Sequence, residues 1–348
     1  MTGVARPITS PMTLATGVGA VPHTDPVAAC DTVLSHFPRF PFVPTLPNRG
    51  VLEGIVFAES AQLPGGILCE GRLTVDTNQD NGAAIEQVYK DYLEGDTSRY
   101  GAGPEFASGL HEMLRRCLVD AQTVKCQVTG PVTFGMQVTD VAKRPLLYDP
   151  EYADMLGKLL ALRARWCETV LRDRTGAKDT VVVLNEPYLA SIGSSVIPVD
   201  QELVRSLHDD IFSFLEGGVG IHCCSNTDWE FVLGEHPSVI SFDAYSNARE
   251  FLLYRDHICS YLETGGVVAW GIVPADFQVF SQVRRDALYE KMKAIRTAIT
   301  AHVDEELFFR QSLVTPTCGI RFGGTSAADQ ILGTAAWISS ELRREYLQ

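Results

Sequence analysis

Residues 201–224 have the sequence QELVRSLHDDIFSFLEGGVGIHCC. Gln201–Glu216 carries apolar residues at helical spacing, and Gly218–His222 is a short run of small and apolar residues that predicts a buried strand. A helix that leads directly into a wholly apolar strand is typical of a parallel sheet that is covered on both faces. The segment therefore predicts an α/β fold.

The same alternation extends along the rest of the chain. Strands are predicted at Leu14–Val18, Phe42–Thr45, Val124–Val128, Val181–Leu184, Gly218–His222, Val239–Phe242, Val267–Trp270 and Leu313–Thr315. Helices are predicted at Pro26–His36, Ala83–Leu93, Pro104–Ala121, Pro150–Arg174, Gln201–Glu216, Asp228–Leu233, Ala248–Glu263, Arg284–His302 and Ser326–Leu347. Eight strand and helix units with wholly apolar strands favour a closed (β/α)8 TIM barrel over an open doubly wound sheet.

The chain shows no internal boundary that would divide this barrel. Residues 1–12 lack periodicity and are expected to form a flexible arm, which leaves residues 13–348 as one domain. Two extended pieces within residues 65–76 predict a small hairpin inserted near the mouth of the barrel. No repeat of fixed period and no low-complexity linker is found.

Composition and charge limit the possible partners. The 348 residues contain 29 Lys and Arg against 43 Asp and Glu, which gives a net charge of −14. This charge repels phosphate backbones, so no nucleic-acid partner is expected. The longest apolar runs fall far short of the roughly 20 residues that cross a bilayer, and no signal peptide is recognisable. We expect a cytoplasmic protein, with no membrane partner, whose nine cysteines stay reduced.

Residues that can bind a metal lie where predicted strands end. His222 and Cys224 are two positions apart on an extended segment, so both side chains point to the same side. Cys318 and Asp243 follow two other strands, and in α/β barrels the reactive groups come from these ends. Together the four predict a zinc site of nitrogen, sulfur and carboxylate ligands. The alternative is a buried histidine with a backbone partner beside packed cysteines.

Four segments together resemble one known family. They are Thr16-Gly-Val-Gly-Ala-Val-Pro-His-Thr-Asp25, Thr129-Gly-Pro-Val-Thr133, Asn185-Glu-Pro187, and His222-Cys-Cys224 with the distant Thr317-Cys-Gly319. In order and spacing they resemble the catalytic C-terminal barrel of cobalamin-independent methionine synthases. That barrel belongs to a superfamily with uroporphyrinogen decarboxylase and the methylcobalamin:coenzyme M methyltransferases. The resemblance covers nearly the whole chain after residue 13 and implies a stand-alone core methionine synthase.

The resemblance implies a metal set and a set of substrate contacts. The zinc ligands of the family correspond to His222, Cys224, Asp243 and Cys318, with Asp243 in place of a glutamate. The substrate amino acid would be held by main-chain groups of Val18-Gly19-Ala20 and by side chains of Asn185 and Glu186, where the family has Asp-Glu. His23 would either touch the substrate or cap the following helix. No protein general base is expected, because the zinc-bound substrate thiolate is itself the nucleophile.

The methyl donor is predicted from what the family pattern lacks here. The N-terminal barrel that helps the longer enzymes bind folate is not found in these residues, and no histidine stands in Gly266–Ala275, where the family has its proton donor. Both differences favour methylcobalamin, free or on a corrinoid protein, because its cobalt leaving group needs no proton. The expected reaction is methyl transfer to homocysteine, which gives methionine.

Four alternative functions are considered at the level of sequence. The same zinc site could methylate another thiol such as coenzyme M, whose sulfonate would need Arg49 or Arg321, or the enzyme could use folate after all. A decarboxylase of the uroporphyrinogen type would need an Arg-rich N-terminal motif, which the sequence does not show. A non-catalytic metal-binding or corrinoid-binding protein is compatible with the same fold.

Overall fold

The computed structural model describes residue 6 and residues 8–192 and 199–346. Its strands are β1 Gly66–Cys69, β2 Arg72–Val75, β3 Val124–Thr129, β4 Thr139–Asp140, β5 Thr180–Asn185, β6 Gly218–Cys223, β7 Val239–Phe242, β8 Val267–Val273 and β9 Ser312–Pro316. Its α-helices are α1 Pro26–His36, α2 Gly82–Glu94, α3 Ser108–Met113, α4 Pro131–Gln137, α5 Pro150–Thr175, α6 Gln201–Phe214, α7 Trp229–Gly234, α8 Ala244–Phe251, α9 Arg255–Glu263, α10 Phe277–Phe280, α11 Arg285–Thr300, α12 Glu305–Arg310 and α13 Gly324–Tyr346.

A curled parallel sheet of six strands organises the fold. Its order is β3-β5-β6-β7-β8-β9, and each neighbouring pair is parallel. The strand residues are almost all buried, because helices cover the outer side of the sheet. The predicted α/β class is therefore confirmed, together with six of the eight predicted strands.

A complete (β/α)8 barrel is not confirmed, because the first two predicted strands are not strands in the structure. Residues 14–18 and 42–45 make isolated parallel bridges instead, Ala15 to Val314 on β9 and Phe42 to Lys125 on β3. Pro41 and Pro44 lie in or next to the second segment, and a proline has no N–H to donate to a ladder. The edges of the six-stranded sheet are therefore joined through single bridges.

Two predicted helices differ from the structure. Within Pro104–Ala121 only α3 is helical, and the segment predicted as Ala248–Glu263 forms α8 and α9 with a 3₁₀ turn, Leu252–Tyr254, between them. The hairpin predicted at residues 65–76 is present as the antiparallel pair β1 and β2. The predicted flexible arm lies partly outside the described residues, and Ile8 within it is buried.

The side chains inside the curl change from apolar to polar along the strands. At the amino ends a small apolar cluster fills it. It consists of Ile8, Phe40, Val181, Val183, Val239, Val267, Ala269 and Leu313. Towards the carboxyl ends, the inward positions carry polar groups such as Thr129, Asn185, His222 and Ser241, which are neighbours in register. The apolar cluster closes one end of the curl, and the polar positions line the other.

An aromatic cluster packs the outer side of β7 and β8 against α7 and α8. Phe251 stacks on Phe242 with ring centroids 4.2 Å apart, and it meets Trp229 and Trp270 edge-on at 5.0 and 5.8 Å. All four rings are fully buried. The cluster therefore packs around the carboxyl end of β7, which residue 243 follows.

We expect Phe251→Ala to lower the free energy of unfolding by about 3–5 kcal/mol, because it leaves a cavity between three aromatic rings. Urea denaturation followed by circular dichroism measures the change. Leu253→Ala, two residues away at a side chain that is 79% exposed, is the matched control and should change stability by less than about 0.5 kcal/mol. Equal losses in both variants would contradict the assigned packing.

Candidate metal centre

Three potential metal ligands meet at the carboxyl end of the sheet. The ligand atoms of His222, Cys224 and Cys318 all lie within 4.8 Å of one another. Among the described residues, no other histidine, cysteine or carboxylate side chains form such a group. The tertiary structure thus brings together residues that are 94 positions apart in the sequence.

Two strand ends create this proximity. His222 is the next-to-last residue of β6, and Cys224 follows the strand by one residue, so the two side chains share the inner side. Cys223 between them faces the core and is 1% exposed. Cys318 follows β9, where Thr317 is fixed by hydrogen bonds with Val273 and Ala275.

The imidazole of His222 is oriented by a neighbouring strand. Its Nδ1 shares a hydrogen bond of 2.9 Å with the Ser241 hydroxyl on β7, the residue directly beside it in register. Its Nε2 is buried and has no hydrogen-bond partner among the described residues. Unpartnered buried nitrogens are costly in a folded protein, and a metal ion would satisfy this one.

The two thiols are unequal in acidity. The pKa of Cys224 is lowered to about 4, first by a hydrogen bond from the Cys318 thiol and then by the nearby imidazole of His222. The pKa of Cys318 is raised in turn, first by its hydrogen bond to Cys224 and then by burial. A thiolate is therefore stable at Cys224 at neutral pH, and thiolates are the form in which cysteine binds metals.

The donor set fits zinc. One imidazole nitrogen and two sulfurs suit a borderline-soft cation, and three protein ligands leave one tetrahedral position for a substrate atom. The unpartnered Nε2 of His222 is the observation that supports the fit. The arrangement resembles open, catalytic zinc sites more than closed structural ones.

Asp243, predicted as the fourth ligand, lies outside this group. Its carboxylate caps α8 by accepting the Ser246 N–H at 2.8 Å. Burial raises the pKa of Asp243, and the negative charge of Cys224 raises it further. The charge of Cys224 therefore affects the Asp243 carboxylate, although the hydrogen bond of that carboxylate is to the helix.

A cavity of about 690 Å³ opens over the metal ligands. Besides the three ligands, its lining includes the predicted substrate residues Val18, Gly19, Ala20 and Asn185. The carbonyls of Val18, Gly19 and Ala20 all accept hydrogen bonds, from Lys125, Thr45 and Ile320. Within the described part of the chain, the N–H groups of Gly19 and Ala20 have no protein acceptor. They are donors available to a ligand.

The two candidate residues at the end of β5 have different surroundings. Asn185 lines the cavity, and its buried Oδ1 has no hydrogen-bond partner in the part of the chain that the structure describes. Glu186 is fully buried outside the lining, where its carboxylate accepts the N–H groups of Val132 and Thr133 at 3.0 and 2.8 Å. The structure therefore brings Asn185 to the cavity and uses Glu186 to cap α4.

Glu186 also belongs to a buried charged triad. His208 Nε2 lies 3.3 Å from Glu186, and His208 Nδ1 lies 3.0 Å from Glu235. Burial alone would lower the pKa of His208, but the two carboxylates outweigh it and raise this pKa to about 10. The imidazolium is thus held between α4, β5 and the end of α7.

His23 lies beside α1 rather than in the cavity lining. Its Nε2 is 3.3 Å from the Thr32 hydroxyl, its Nδ1 is buried without a partner, and Asp25 is the residue that caps α1. Asp25 therefore takes the capping role predicted for His23, and the predicted substrate contact of His23 stays a prediction.

Several lining residues were not predicted from the sequence. Gln127 and Thr129 face the cavity from β3, and the alternation of polar residues in Lys-Cys-Gln-Val-Thr was the available signal for them. Glu53 and Glu59 also line it, each paired at 2.9 Å with an arginine, Arg49 and Arg163 respectively. No local pattern marks these two carboxylates, since they lie on short 3₁₀ turns.

No protein-family model matches the sequence, and no curated protein matches it. The chain is similar to the B12-independent methionine synthase from Shewanella sp. W3-18-1, solved in complex with selenomethionine, at 16% identity and a TM-score of 0.45. This match covers 65% of the chain and spans 64% of that protein. A Listeria monocytogenes protein, provisionally described as a vitamin-B12 independent methionine synthase, matches at 12% identity and a TM-score of 0.52.

The Listeria match covers 92% of this chain and 86% of that one, so the two proteins share a fold. Identities this low show the fold alone. The Shewanella match has too low a TM-score to add to that result.

We expect the purified protein to contain close to one equivalent of zinc, and Cys224→Ser or Cys318→Ser to reduce it well below that. Ser241→Ala should weaken zinc binding about 10–100-fold, because Nδ1 of His222 loses the group that orients the ring. Metal analysis and competition with a chromophoric chelator measure both effects. Cys259→Ser, at a half-buried thiol on α9, is the control, and a similar loss there would contradict the assignment.

The triad predicts a pH dependence of stability. The pKa of His208 is about 10 in the folded chain against an ordinary value of 6.5, so the folded state holds the extra proton between these values. Its contribution is fully present below pH 6.5 and is lost as the pH rises through 10. Between these limits the unfolding free energy should fall with pH more steeply in the wild type than in His208→Gln, by up to about 1.4 kcal/mol per pH unit.

Urea denaturation at several pH values tests this difference. Comparison of the two proteins cancels the titration of the thiols, which both contain. Parallel pH profiles would show that His208 does not carry the proton.

Proposed function

We propose that the protein is a zinc-dependent methyltransferase that methylates a substrate thiol, homocysteine, to give methionine. The observation that carries the proposal is the group of His222, Cys224 and Cys318 beneath a cavity, with an unpartnered imidazole nitrogen directed to it. The complete zinc barrel belongs to the same proposal, with residues 14–18 and 42–45 in the places of its first two strands.

Activation of the thiol is the chemistry that this site can supply. A free thiol has a pKa of about 8.5 and is mostly protonated at neutral pH. Zinc held by the three ligands would stabilise the thiolate of a substrate and so replace a general base. The remaining contribution of the protein would be to orient the sulfur towards the methyl carbon.

The described lining residues support a mechanism without a protein base. The carboxylates of Glu53 and Glu59 are occupied by arginines, and Asp276 caps α10 through the N–H groups of Gln278 and Val279. Both nitrogens of His222 have assigned roles, Nδ1 with Ser241 and Nε2 with the metal. The proposed mechanism therefore assigns no protein base to these groups.

An amino-acid acceptor suits the polar groups of the cavity. The unpaired N–H groups of Gly19 and Ala20 would bind an α-carboxylate, and the unpartnered Oδ1 of Asn185 would accept a hydrogen bond from an ammonium group. Glu186, which was predicted to bind the ammonium, is fully buried outside the cavity lining, and its carboxylate is bound to α4 and His208. Asn185 is therefore the residue to which we assign the ammonium contact.

The rival acceptor, coenzyme M, would need a cation at its sulfonate. Arg49 is held by Glu53 and the Thr24 carbonyl, which leaves the exposed Arg321 at the cavity. The N–H groups of Gly19 and Ala20 would bind either acid group, whereas the Asn185 Oδ1 is an acceptor that only the ammonium of homocysteine would use. The geometry thus favours homocysteine over a sulfonate thiol.

The predicted corrinoid donor gains no support from the structure. The Listeria protein that shares the fold is provisionally described as B12-independent. We therefore leave methylcobalamin, and a corrinoid protein as its carrier, out of the proposal. The experiment below therefore compares two methyl donors.

We expect the zinc-loaded protein to form methionine from homocysteine and a methyl donor, measured by mass spectrometry with a labelled methyl group. Methyltetrahydrofolate and methylcobalamin are supplied in separate arms, because the acceptor site is the same for both. Cys224→Ser should abolish turnover, since the substrate thiol then stays protonated.

Two controls separate the possible outcomes. Cys259→Ser should keep full activity, and 2-mercaptoethanesulfonate in place of homocysteine tests the rival acceptor. No methionine from a zinc-loaded protein in either arm would rule out the proposed reaction.

A further inference from the structure

A lysine lies inside the curl of the sheet, where the mechanism above does not use it. Lys125, on β3, is 5% exposed and stands in register beside Val181 of the apolar cluster. It forms no ion pair with any carboxylate of the described chain. Because lysine is almost never fully buried unless it is paired, this position calls for an explanation.

The amine has two partners, and both belong to the cavity lining. Lys125 Nζ donates to the Val18 carbonyl at 2.7 Å and to Gln127 Oε1 at 2.9 Å. Burial lowers the pKa of Lys125 to about 7, so the neutral amine is accessible at physiological pH. Its two N–H groups match the two acceptors.

The bond to Val18 acts on a peptide group that faces the cavity. The Val18 carbonyl and the Gly19 N–H belong to one planar trans peptide and point in opposite directions. A donor that holds the carbonyl therefore fixes where the N–H points, and it polarises that N–H so that it donates more strongly. The Gly19 N–H is one of the two donors without a protein acceptor.

Gln127 holds the same loop from the side. A Cβ atom at Gly19 would lie 2.4 Å from the Gln127 side-chain amide, so loop and amide are in close contact. The Gln127 Nε2 group also donates to the Val43 carbonyl at 2.7 Å. Lys125 and Gln127 thus connect β3 to the two segments that only isolated bridges join to the sheet.

We propose that Lys125 is a positioning residue for the acceptor substrate: it holds the Val18–Gly19 peptide so that the Gly19 N–H binds the α-carboxylate of an amino-acid thiol. This role rests on the proposed function and deepens it, because it selects amino-acid thiols over simple thiols. Lys125 itself does not touch the substrate or the metal.

The cobalt(II)-substituted protein tests this role without turnover, because coordination of a thiolate changes its sulfur-to-cobalt absorption. Homocysteine and 2-mercaptoethanol, which lacks the carboxylate, are titrated into wild type and Lys125→Met. We expect the variant to bind homocysteine about tenfold more weakly, the effect of one charge-assisted hydrogen bond. Binding of 2-mercaptoethanol and of the metal should stay unchanged, and in turnover KM should rise while kcat is retained.

Lys158→Met is the matched control, because Lys158 is a part-buried lysine on α5 paired with Asp154 and Asp210 away from the cavity. This variant should be less stable than the wild type but should bind homocysteine with unchanged affinity. If Lys125→Met does not fold, Lys125→Gln removes the long amine with less change in polarity and should show the same selective loss.

Equal weakening of both thiols, or none, would overturn the role of Lys125. If neither thiol changes the spectrum of the wild type, the proposed function is overturned, and the role of Lys125 with it. The two failures are therefore distinguishable in one set of titrations.

Discussion

Parallel pairing of six strands is the constraint on which the rest of the structure depends. It forces every carboxyl end to the same rim, and the curl of the sheet then turns those ends towards one another. His222 on β6, Ser241 on β7 and Asn185 on β5 become neighbours solely because their strands are in register. Cys318 joins them from the last strand of the sheet, so the metal ligands meet without any local motif that links them.

The two ends of the curl differ in the side chains that fill them. Apolar side chains close the amino end, and polar side chains face the cavity at the carboxyl end. Two buried ionisable side chains, His208 and Lys125, hold neighbouring segments together. The His208 triad fastens α4 to β5 and α7, while Lys125 fastens the loop at residues 18–20 to β3. Both use charge or hydrogen bonds where regular strand pairing is absent.

Asp243 and Glu186 show why residue type and place in the chain do not determine a role. Each is a carboxylate at a strand end, where barrels carry their reactive groups. In each case the adjoining helix offers unpaired N–H groups, and the carboxylate binds them: Asp243 at Ser246, and Glu186 at Val132 and Thr133. Asn185, the amide beside Glu186, keeps a free oxygen and faces the cavity.

The sequence alone determined the α/β class, the six strands of the sheet and the meeting of His222, Cys224 and Cys318, because periodicity and strand-end position are local signals. It could not determine whether the sheet closes. The prolines near residues 41–44 lack the N–H groups that would pair with a strand distant in the sequence. Only the tertiary structure decided which way Glu186 and Asp243 point and that Lys125 lies beneath the Val18 carbonyl. Those outcomes depend on competition between partners far apart in the chain, and a sequence does not show which partner is nearest.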